Sequence, residues 1–279
     1  MAQVLTAPPR PASPSVLTLG ACETHMRFHE AHAGRGRQHL AILEGMNLSA
    51  VTAVERAIGT MREEYSTPLT VDDLARCAMY SKFHFSRMFQ RVTGISPGRY
   101  LSAVRIEQAK RLLVSTTLSV ADVTNQVGFS GVGSFSTRFR YSVGVTPSRY
   151  RRMDPPPFVG GCGGGCGVVR GSLAWNGAFP AFVGLFSGRV FEGVPARHVI
   201  MERPGEYVLD GVPAGSWYVL AHSMRGNLLG GTGQVQIGPE SDLRVPEIRL
   251  RARRIADPPA LLALLDDSAR EEEPAALAC

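Results

Sequence analysis

One stretch of the chain places hydrogen-bond donors opposite an apolar stripe at helical spacing. Phe85, Met88, Phe89 and Val92 follow the i, i+3, i+4, i+7 pattern that predicts one buried helix face. The remaining face is mostly polar or basic and comprises Lys82, Phe83, His84, Ser86, Arg87 and Gln90. Such side chains can donate to the base edges and phosphates of nucleic acid. An ordinary solvated helix face is the alternative.

Cysteines and histidines offer two weaker candidates for chemistry. Cys162 and Cys166 lie among glycines and could hold a metal ion or close a disulfide loop. Two thiols supply only half of a tetrahedral metal site, so a plain linker is favoured. Four histidines lack cysteines or carboxylates at ligand spacing, so we expect no metal site there: His25, His29, His32 and His39. We expect no cofactor.

The composition predicts a globular, two-domain protein. The chain has 279 residues, of which 44% are hydrophobic and 19% are charged. Its apolar runs, such as residues 260–265, are far shorter than the ~18 residues that span a bilayer, which excludes a membrane protein. Early prolines make a secretory signal an unlikely reading. Five scattered cysteines favour a reducing, cytoplasmic setting.

The positive charge is concentrated in one block. Residues 69–152 contain 13 Lys and Arg against four acidic residues, a net charge of +9. Residues 1–68 are neutral, and residues 153–279 carry a net charge of −3. A block of this kind attracts a polyanion, and nucleic acid is the usual one. A solubilising surface is the alternative.

The basic block contains a repeated motif. Residues 85–89 (Phe-Ser-Arg-Met-Phe) match residues 135–139 (Phe-Ser-Thr-Arg-Phe), and each is followed by a Gly, a Pro and an Arg-Tyr pair at the same spacing. Each copy is preceded by a short amphipathic helix that begins at a predicted capping box, formed by Thr70 with Asp73 and by Ser119 with Asp122. A short helix, a tight turn and a second amphipathic helix describe a helix-turn-helix unit.

Further helices are predicted around these two units. The spacing of apolar residues predicts a helix over residues 48–64. Ser96 and Pro97 start a long helix that is apolar on more than one side, so it can join and space the two units. Thr146 and Pro147 repeat this signal and start a last helix through Tyr150.

With these motifs in place, residues from about 50 to 152 resemble the DNA-binding domain of the AraC/XylS family of bacterial transcription regulators. The segments that carry the resemblance are residues 74–75, 81–89, 94–97, 105–113, 127–130 and 144–147. The resemblance implies seven helices with two helix-turn-helix units, which bind successive major-groove segments on one DNA face. It implies a double-stranded DNA operator as partner, a cytoplasmic location with nucleoid association, and no enzymatic activity.

The resemblance has two departures, both in the second unit. Thr124 stands where the family has alanine at a tight helix crossing. The family also has an arginine near the position of Thr137, whereas the basic residue in this chain is Arg138. The candidate DNA contacts of this unit include few base-reading groups: Gly131, Val132, Gly133, Ser134, Thr137, Arg138 and Arg149. Ser81 completes the set for the first unit. We therefore expect the first unit to supply most of the sequence discrimination.

Beyond residue 167 the hydrophobic period changes from 3.6 to 2. Strands are predicted over residues 168–175, 181–187, 206–212, 216–224, 234–237 and 243–251. Tyr207, Leu209, Trp217, Val219 and Ala221 alternate with residues that could face outwards. This predicts a small β-sandwich rather than a barrel. Residues 205–219 resemble the prealbumin-like, carboxypeptidase-regulatory type of sandwich.

The predicted fold class is therefore multidomain: an all-α double helix-turn-helix domain followed by a small all-β sandwich domain. A disordered extension is expected over residues 1–47, the helical domain over 48–153, and a Pro/Gly-rich linker over 154–167. The β domain is expected over 168–257 and an acidic disordered tail over 258–279. The linker should leave the β domain separable from the helical domain.

Three functions stay open at this point. The first is a DNA-binding regulator whose β domain senses a small-molecule effector, with RNA polymerase as a further partner. The second is an enzyme fused to a DNA-binding module, such as an adaptive-response alkyltransferase, but no cysteine here has the Pro-Cys-His-Arg setting of those enzymes. The third makes the β domain a self-association or partner-binding module.

We expect residues 1–45 to be dispensable for DNA binding. Met46 immediately precedes the part that resembles the family, and it could be the true start. A chain beginning at Met46 should bind DNA as tightly as the full chain in a gel-shift titration. A large loss of affinity or solubility in the shorter chain would contradict this expectation.

Overall fold

The computed structural model describes residues 48–152, 166–177, 179–225 and 227–266. The expected N-terminal extension, its four histidines, most of the linker and the end of the tail lie outside these residues. Within the described ranges, no helix is long and apolar enough to cross a membrane, and no group of three or more His, Cys, Asp or Glu could hold a metal ion.

Seven helices build the first part of the chain, as the sequence predicted. They are α1 (residues 48–63), α2 (Val71–Cys77), α3 (Lys82–Thr93), α4 (Pro97–Ser115), α5 (Val120–Gln126), α6 (Val132–Val143) and α7 (Pro147–Arg151). Both predicted capping boxes are present, at Thr70 with Asp73 and at Ser119 with Asp122. The hydrogen bonds from Thr70 hold the pKa of the Asp73 carboxyl below its usual value, so this cap stays charged.

The two helix-turn-helix units differ in how they make the turn. In the first, Met79 adopts φ +62 and leaves its side chain in solvent. In the second, Gly128 adopts φ +81, and a Cβ there would lie 2.8 Å from the backbone oxygen of Ser66. The second turn therefore requires glycine for both its backbone conformation and its close packing.

The unusual Thr124 is accommodated by its own helix. Thr124 is completely buried, and its hydroxyl donates to the carbonyl of Val120 at 2.7 Å. This bond satisfies the one polar group that threonine adds to the crossing of α5 with α6. The crossing therefore tolerates a residue larger than the alanine that the family resemblance implies.

Nine strands form two sheets in the second part. They are β1 (Cys166–Ala174), β2 (Ala181–Phe186), β3 (His198–Met201), β4 (Gly205–Pro213), β5 (Gly215–Ser223), β6 (Leu228–Ile237), β7 (Asp242–Arg244), β8 (Ile248–Arg249) and β9 (Arg251–Ala252). Sheet A has the order β4-β1-β7, with β8 also pairing parallel to β1. Sheet B has the order β3-β2-β5-β6-β9 and is antiparallel throughout.

The two sheets share one apolar cluster. Val169 and Leu209 from sheet A pack in it with Val183 and Val219 from sheet B. The predicted alternation is confirmed here, because Tyr207, Leu209, Val219 and Ala221 all belong to this cluster and Trp217 packs against it.

The strand boundaries differ from the predictions in three places. Strand β3 was missed, since four edge residues give too short a pattern to read. Strand β6 begins six residues before its predicted start, where glycines obscured it; a Cβ at Gly230 would lie 2.8 Å from Ile248 and one at Gly231 2.8 Å from Leu220. The predicted strand 243–251 is divided, with β7 and β8 in sheet A and β9 in sheet B.

The residues expected to face outwards from sheet B instead face a third layer. Leu220 is buried, and it packs with Phe182 and Phe186 against Leu262. We call residues 255–266 the C-terminal segment. Every residue of β2 is buried, because one face of the strand contacts sheet A and the other contacts the C-terminal segment.

The C-terminal segment corrects two expectations about domain organisation. Residues 258–266 were placed in a disordered tail, yet Leu261 and Ala263 are buried in the core of the second helix-turn-helix unit. The β domain therefore contacts the helices directly, and its separation by protease at the linker stays a prediction. At the other boundary, β1 starts inside the predicted linker, and Cys166 is disulfide-bonded rather than part of a plain linker.

Replacing Gly128 with alanine should lower the free energy of unfolding by about 2 kcal/mol, because alanine is strained at positive φ and its Cβ would meet the Ser66 carbonyl. Gly59 is the matched control, since it lies within α1 with no atom near its missing Cβ. Gly59→Ala should stabilise the protein by roughly 0.5–1 kcal/mol. Urea unfolding measures both, and equal effects of the two substitutions would contradict the assignment.

Candidate nucleic-acid interface

Helix α3 presents the predicted row of donors to solvent. Phe85 and Phe89 are completely buried, and this orientation leaves the opposite face exposed. The exposed residues, which we call the α3 surface, are Lys82, Phe83, His84, Arg87 and Gln90. Ser86 lies beside them and is half-buried. The structure thus brings together six of the seven residues that the sequence predicted for the first unit.

The seventh residue, Ser81, has a structural task. It is the N-cap of α3, and its hydroxyl accepts a hydrogen bond from the backbone N–H of His84 at 3.4 Å. Because Ser81 is itself exposed, it starts the helix at the edge of the α3 surface.

Neighbouring groups orient two residues of the α3 surface. The Lys82 ammonium pairs with the Asp72 carboxylate of α2 at 2.7 Å, and both side chains are more than half exposed. The His84 ring stacks on Tyr80, with the ring centroids 5.0 Å apart. The exposed Lys82–Asp72 ion pair is weak, so Lys82 can exchange it for a contact with a DNA phosphate.

Arg87 and Phe83 extend from the α3 surface without such partners. Among the described residues, no carboxylate pairs with Arg87. Phe83 is 84% exposed, which is unusual for a phenylalanine. A guanidinium can pair with guanine, and an apolar ring can contact a thymine methyl. Arg87 and Phe83 therefore each have a side chain that can read a base.

Helix α6 presents a poorer surface. Val132, Gly133, Ser134 and Thr137 are exposed, but the Ser134 hydroxyl donates back to the carbonyl of Gly131 at 2.8 Å. The N-cap Gly131 has no side chain with which to cap the helix. Among the predicted residues on this helix, Thr137 therefore remains the main exposed side chain that could read a base.

Arg138 is bound within the protein. Its guanidinium pairs with Glu192 at 3.2 Å and donates from Nε to the Ser102 hydroxyl at 3.0 Å. Arg99 pairs with the other oxygen of the same carboxylate, whose side chain is only 7% exposed. Glu192 lies in the β part, so one buried carboxylate joins α4 and α6 to the β domain. Arg138 was predicted from sequence to contact DNA, and the structure gives its guanidinium this other partner.

Arg149, the remaining predicted residue, lies in α7. It is half-buried, and its backbone N–H donates to the Thr146 hydroxyl that caps this short helix. The structure therefore does not bring Arg149 onto the exposed face of α6.

Sequence reasoning missed four exposed residues on or near α3 and α6, one of which is Arg91 on α3 itself. Met79 is 85% exposed in the turn before α3. Arg140 and Tyr141 are exposed on α6, three and four residues after Thr137. Helical spacing from Thr137 could have identified the last two, whereas nothing in the sequence marks Glu192 as the partner of Arg138.

The similarity to known proteins lies in the helical part of the chain. Residues 74–153 match a family described as a helix-turn-helix domain. The Tn10 transposon TetD protein of Escherichia coli is 33% identical over 101 residues, which are 36% of this chain and 73% of that protein. The chain belongs to the AraC/XylS family of transcription regulators.

Other members of the family share the same part of the chain. The Msm operon regulatory protein of Streptococcus mutans is 31% identical over 113 residues, or 40% of this chain. The chain spans only 41% of that relative's length. A crystal structure of an AraC-type regulator from Chromobacterium violaceum is 27% identical, covers 38% of this chain and 96% of that chain, and has a TM-score of 0.36.

Replacing Glu192 with glutamine should lower the free energy of unfolding by about 1–3 kcal/mol, because Arg138 and Arg99 lose a mostly buried carboxylate. Arg99 is partly exposed, which holds the effect below that of a fully buried pair. Glu206→Gln is the matched control, since its pair with Arg244 is about three-quarters exposed. Urea unfolding should show less than about 0.5 kcal/mol for the control. A Glu192 variant no weaker than the control would contradict the prediction.

Proposed function

We propose that the protein is a sequence-specific DNA-binding transcription regulator whose two helix-turn-helix units insert α3 and α6 into successive major-groove segments. The observation that carries this proposal is the α3 surface, where exposed donors lie opposite a completely buried apolar face. The relative from Streptococcus mutans is named as an operon regulatory protein, and the family assignment agrees with the proposal.

The spacing of the two units supports binding along one face of DNA. Helix α4 has 19 residues, and a helix of that length extends about 28 Å. Successive major-groove segments on one face of B-DNA lie about 34 Å apart. A rigid α4 thus keeps α3 and α6 at a separation comparable with one turn of DNA.

Within this proposal the two units have unequal roles. The first reads bases through Lys82, Phe83, His84, Ser86, Arg87 and Gln90, with Ser81 at the helix start. The second contributes phosphate contacts and shape recognition through Gly131, Val132, Gly133, Ser134, Thr137 and Arg149. Arg138 fixes the position of α6 through Glu192 instead of reading bases.

Selection of bound sequences from a random duplex pool by the full chain tests the proposed function. We expect enrichment of one sequence with a strongly preferred first segment and a weakly preferred second segment one helical turn away. The affinity should fall steeply with salt, because several phosphates are contacted. A pool that shows no enrichment after repeated selection would refute sequence-specific binding.

Arg87→Ala should reduce the discrimination between the selected operator and random DNA by roughly 1–3 kcal/mol, because a guanidinium can pair bidentately with guanine. Thr137→Ala on α6 is the matched substitution at the corresponding position of the second unit, and its effect should be smaller. Both are measured by fluorescence anisotropy on both DNAs at one fixed salt concentration.

Two outcomes of this comparison have clear meanings. If Arg87→Ala weakens binding to all sequences alike, Arg87 contacts a phosphate instead of a base. The slope of log affinity against log salt concentration should then fall by about one. If Arg87→Ala leaves the discrimination unchanged while Thr137→Ala abolishes it, α6 is the helix that reads the sequence.

We infer further that the β domain is a sandwich that senses an effector or mediates assembly. The apolar cluster shared by the two sheets supports the sandwich, and the resemblance to prealbumin-like domains agrees with it. Sensing predicts a ligand-dependent melting temperature, whereas assembly predicts a melting temperature that rises with protein concentration.

A further inference from the structure

A cleft of about 620 Å³ lies between the end of α3 and the outer face of sheet B. Its helical wall is formed by Arg91 to Gly94, the last turn and C-cap of α3. Its other walls include Arg189, Leu220 and Leu229 from the β part. This volume is within the range of about 300–1,000 Å³ that small-molecule sites occupy.

The lining of the cleft is strongly basic. Four arginines line it against one acidic residue, Asp257. Arg251 is neutralised by Asp257 through two hydrogen bonds of 2.6 and 2.8 Å, and Arg249 pairs with Glu247 at 2.6 Å. Of the four lining arginines, this leaves Arg91 and Arg189.

Arg91 and Arg189 both present uncompensated positive charge. Both are exposed, and in the described part of the chain neither pairs with a carboxylate. The Arg189 guanidinium lies over the Tyr218 ring, 5.6 Å from its centroid, and this contact holds its direction without neutralising it. Two such groups lining one cleft favour an anion beside them.

The remaining lining is apolar. Leu220 is buried, and with Leu229 and Phe191 it gives the cleft a hydrocarbon surface. A ligand that fits both features has an anionic group at one end and an apolar body. We propose that the cleft binds a small organic anion, with its carboxylate or phosphate between Arg91 and Arg189 and its apolar body against Leu220 and Leu229.

The position of the cleft couples the ligand to DNA binding. Arg189 approaches the end of α3 closely, since its Cδ lies 3.6 Å from where a Cβ of Gly94 would be. An anion held by Arg91 and Arg189 therefore ties the recognition helix to the β domain. The cleft as an effector site rests on the proposed function, and linkage then requires that DNA and anion change each other's affinity by the same factor.

Calorimetric titration of the full chain tests the site with three probes: phenylacetate, phenyl phosphate and the uncharged phenylethanol. At least one of the two anions should bind with a dissociation constant below about 10 mM, and phenylethanol should bind at least tenfold more weakly. The double variant Arg91→Met, Arg189→Met keeps the apolar length of both side chains and should lose tenfold or more in anion affinity. Arg203→Met, at an exposed arginine outside the lining, should bind as the unchanged protein does.

Several results would overturn the site. They are the failure of both anions to bind below that concentration, equally tight binding of phenylethanol, and unchanged anion binding by the double variant. A circular-dichroism melt of the double variant checks that it is folded. We expect it to be folded, because both arginines are exposed and methionine keeps the apolar part of each side chain.

Titration with the selected operator separates the cleft from the proposed function. Anion binding by a chain that binds no DNA keeps the site and refutes the regulator. Anion binding that leaves operator affinity unchanged overturns the coupling. If the double variant, without any anion, binds all DNA more weakly and with a lower salt slope, the two arginines are a phosphate clamp and the proposal is wrong.

Discussion

Leu261, Leu262 and Ala263 hold the helical and β parts together, because successive side chains of this stretch face opposite layers. Leu261 and Ala263 complete the core of the second helix-turn-helix unit, whereas Leu262 packs against the phenylalanines of sheet B. Two backbone hydrogen bonds fix the stretch, from Leu261 N to the Phe191 carbonyl at 2.7 Å and from Ala263 N to the Val143 carbonyl at 3.1 Å. Either part alone would expose buried leucine, which costs roughly 1.5–3 kcal/mol for each side chain.

Contacts within the protein occupy some of the positive charge that the sequence assigned to nucleic acid. Lys110 is almost fully buried, donating to the Leu261 carbonyl at 3.1 Å and pairing with Asp266 at 2.7 Å. Arg105 donates to the carbonyls of Tyr65 and Thr67, both at 2.8 Å. The net charge of the block is unchanged, but these groups are positioned to bind the protein itself. Three of the basic groups that stay exposed lie on α3: Lys82, Arg87 and Arg91.

The duplicated units share a fold but differ in the surfaces that they expose. In the first, Ser81 caps α3 and the exposed face keeps its donors. In the second, Gly131 supplies no cap, and Glu192 holds the one long basic side chain that faces α4. The β domain thus holds α6 through Glu192 and leaves the outer face of α3 exposed, while the arginine-lined cleft lies at the end of α3.

The sequence alone determined the seven helices, both capping boxes and the face of α3 that is exposed, because each depends on residues within one or two helical turns. It also determined the apolar alternation of β4 and β5. It could not determine that residues 258–266 belong to the fold, since Leu261 and Leu262 are buried only by layers distant in the chain. Only the tertiary structure paired Glu192 with Arg138 and brought Arg91 and Arg189 to the same cleft. Contacts between residues so far apart in the chain are set by how the two parts pack, and they leave no local pattern in the sequence.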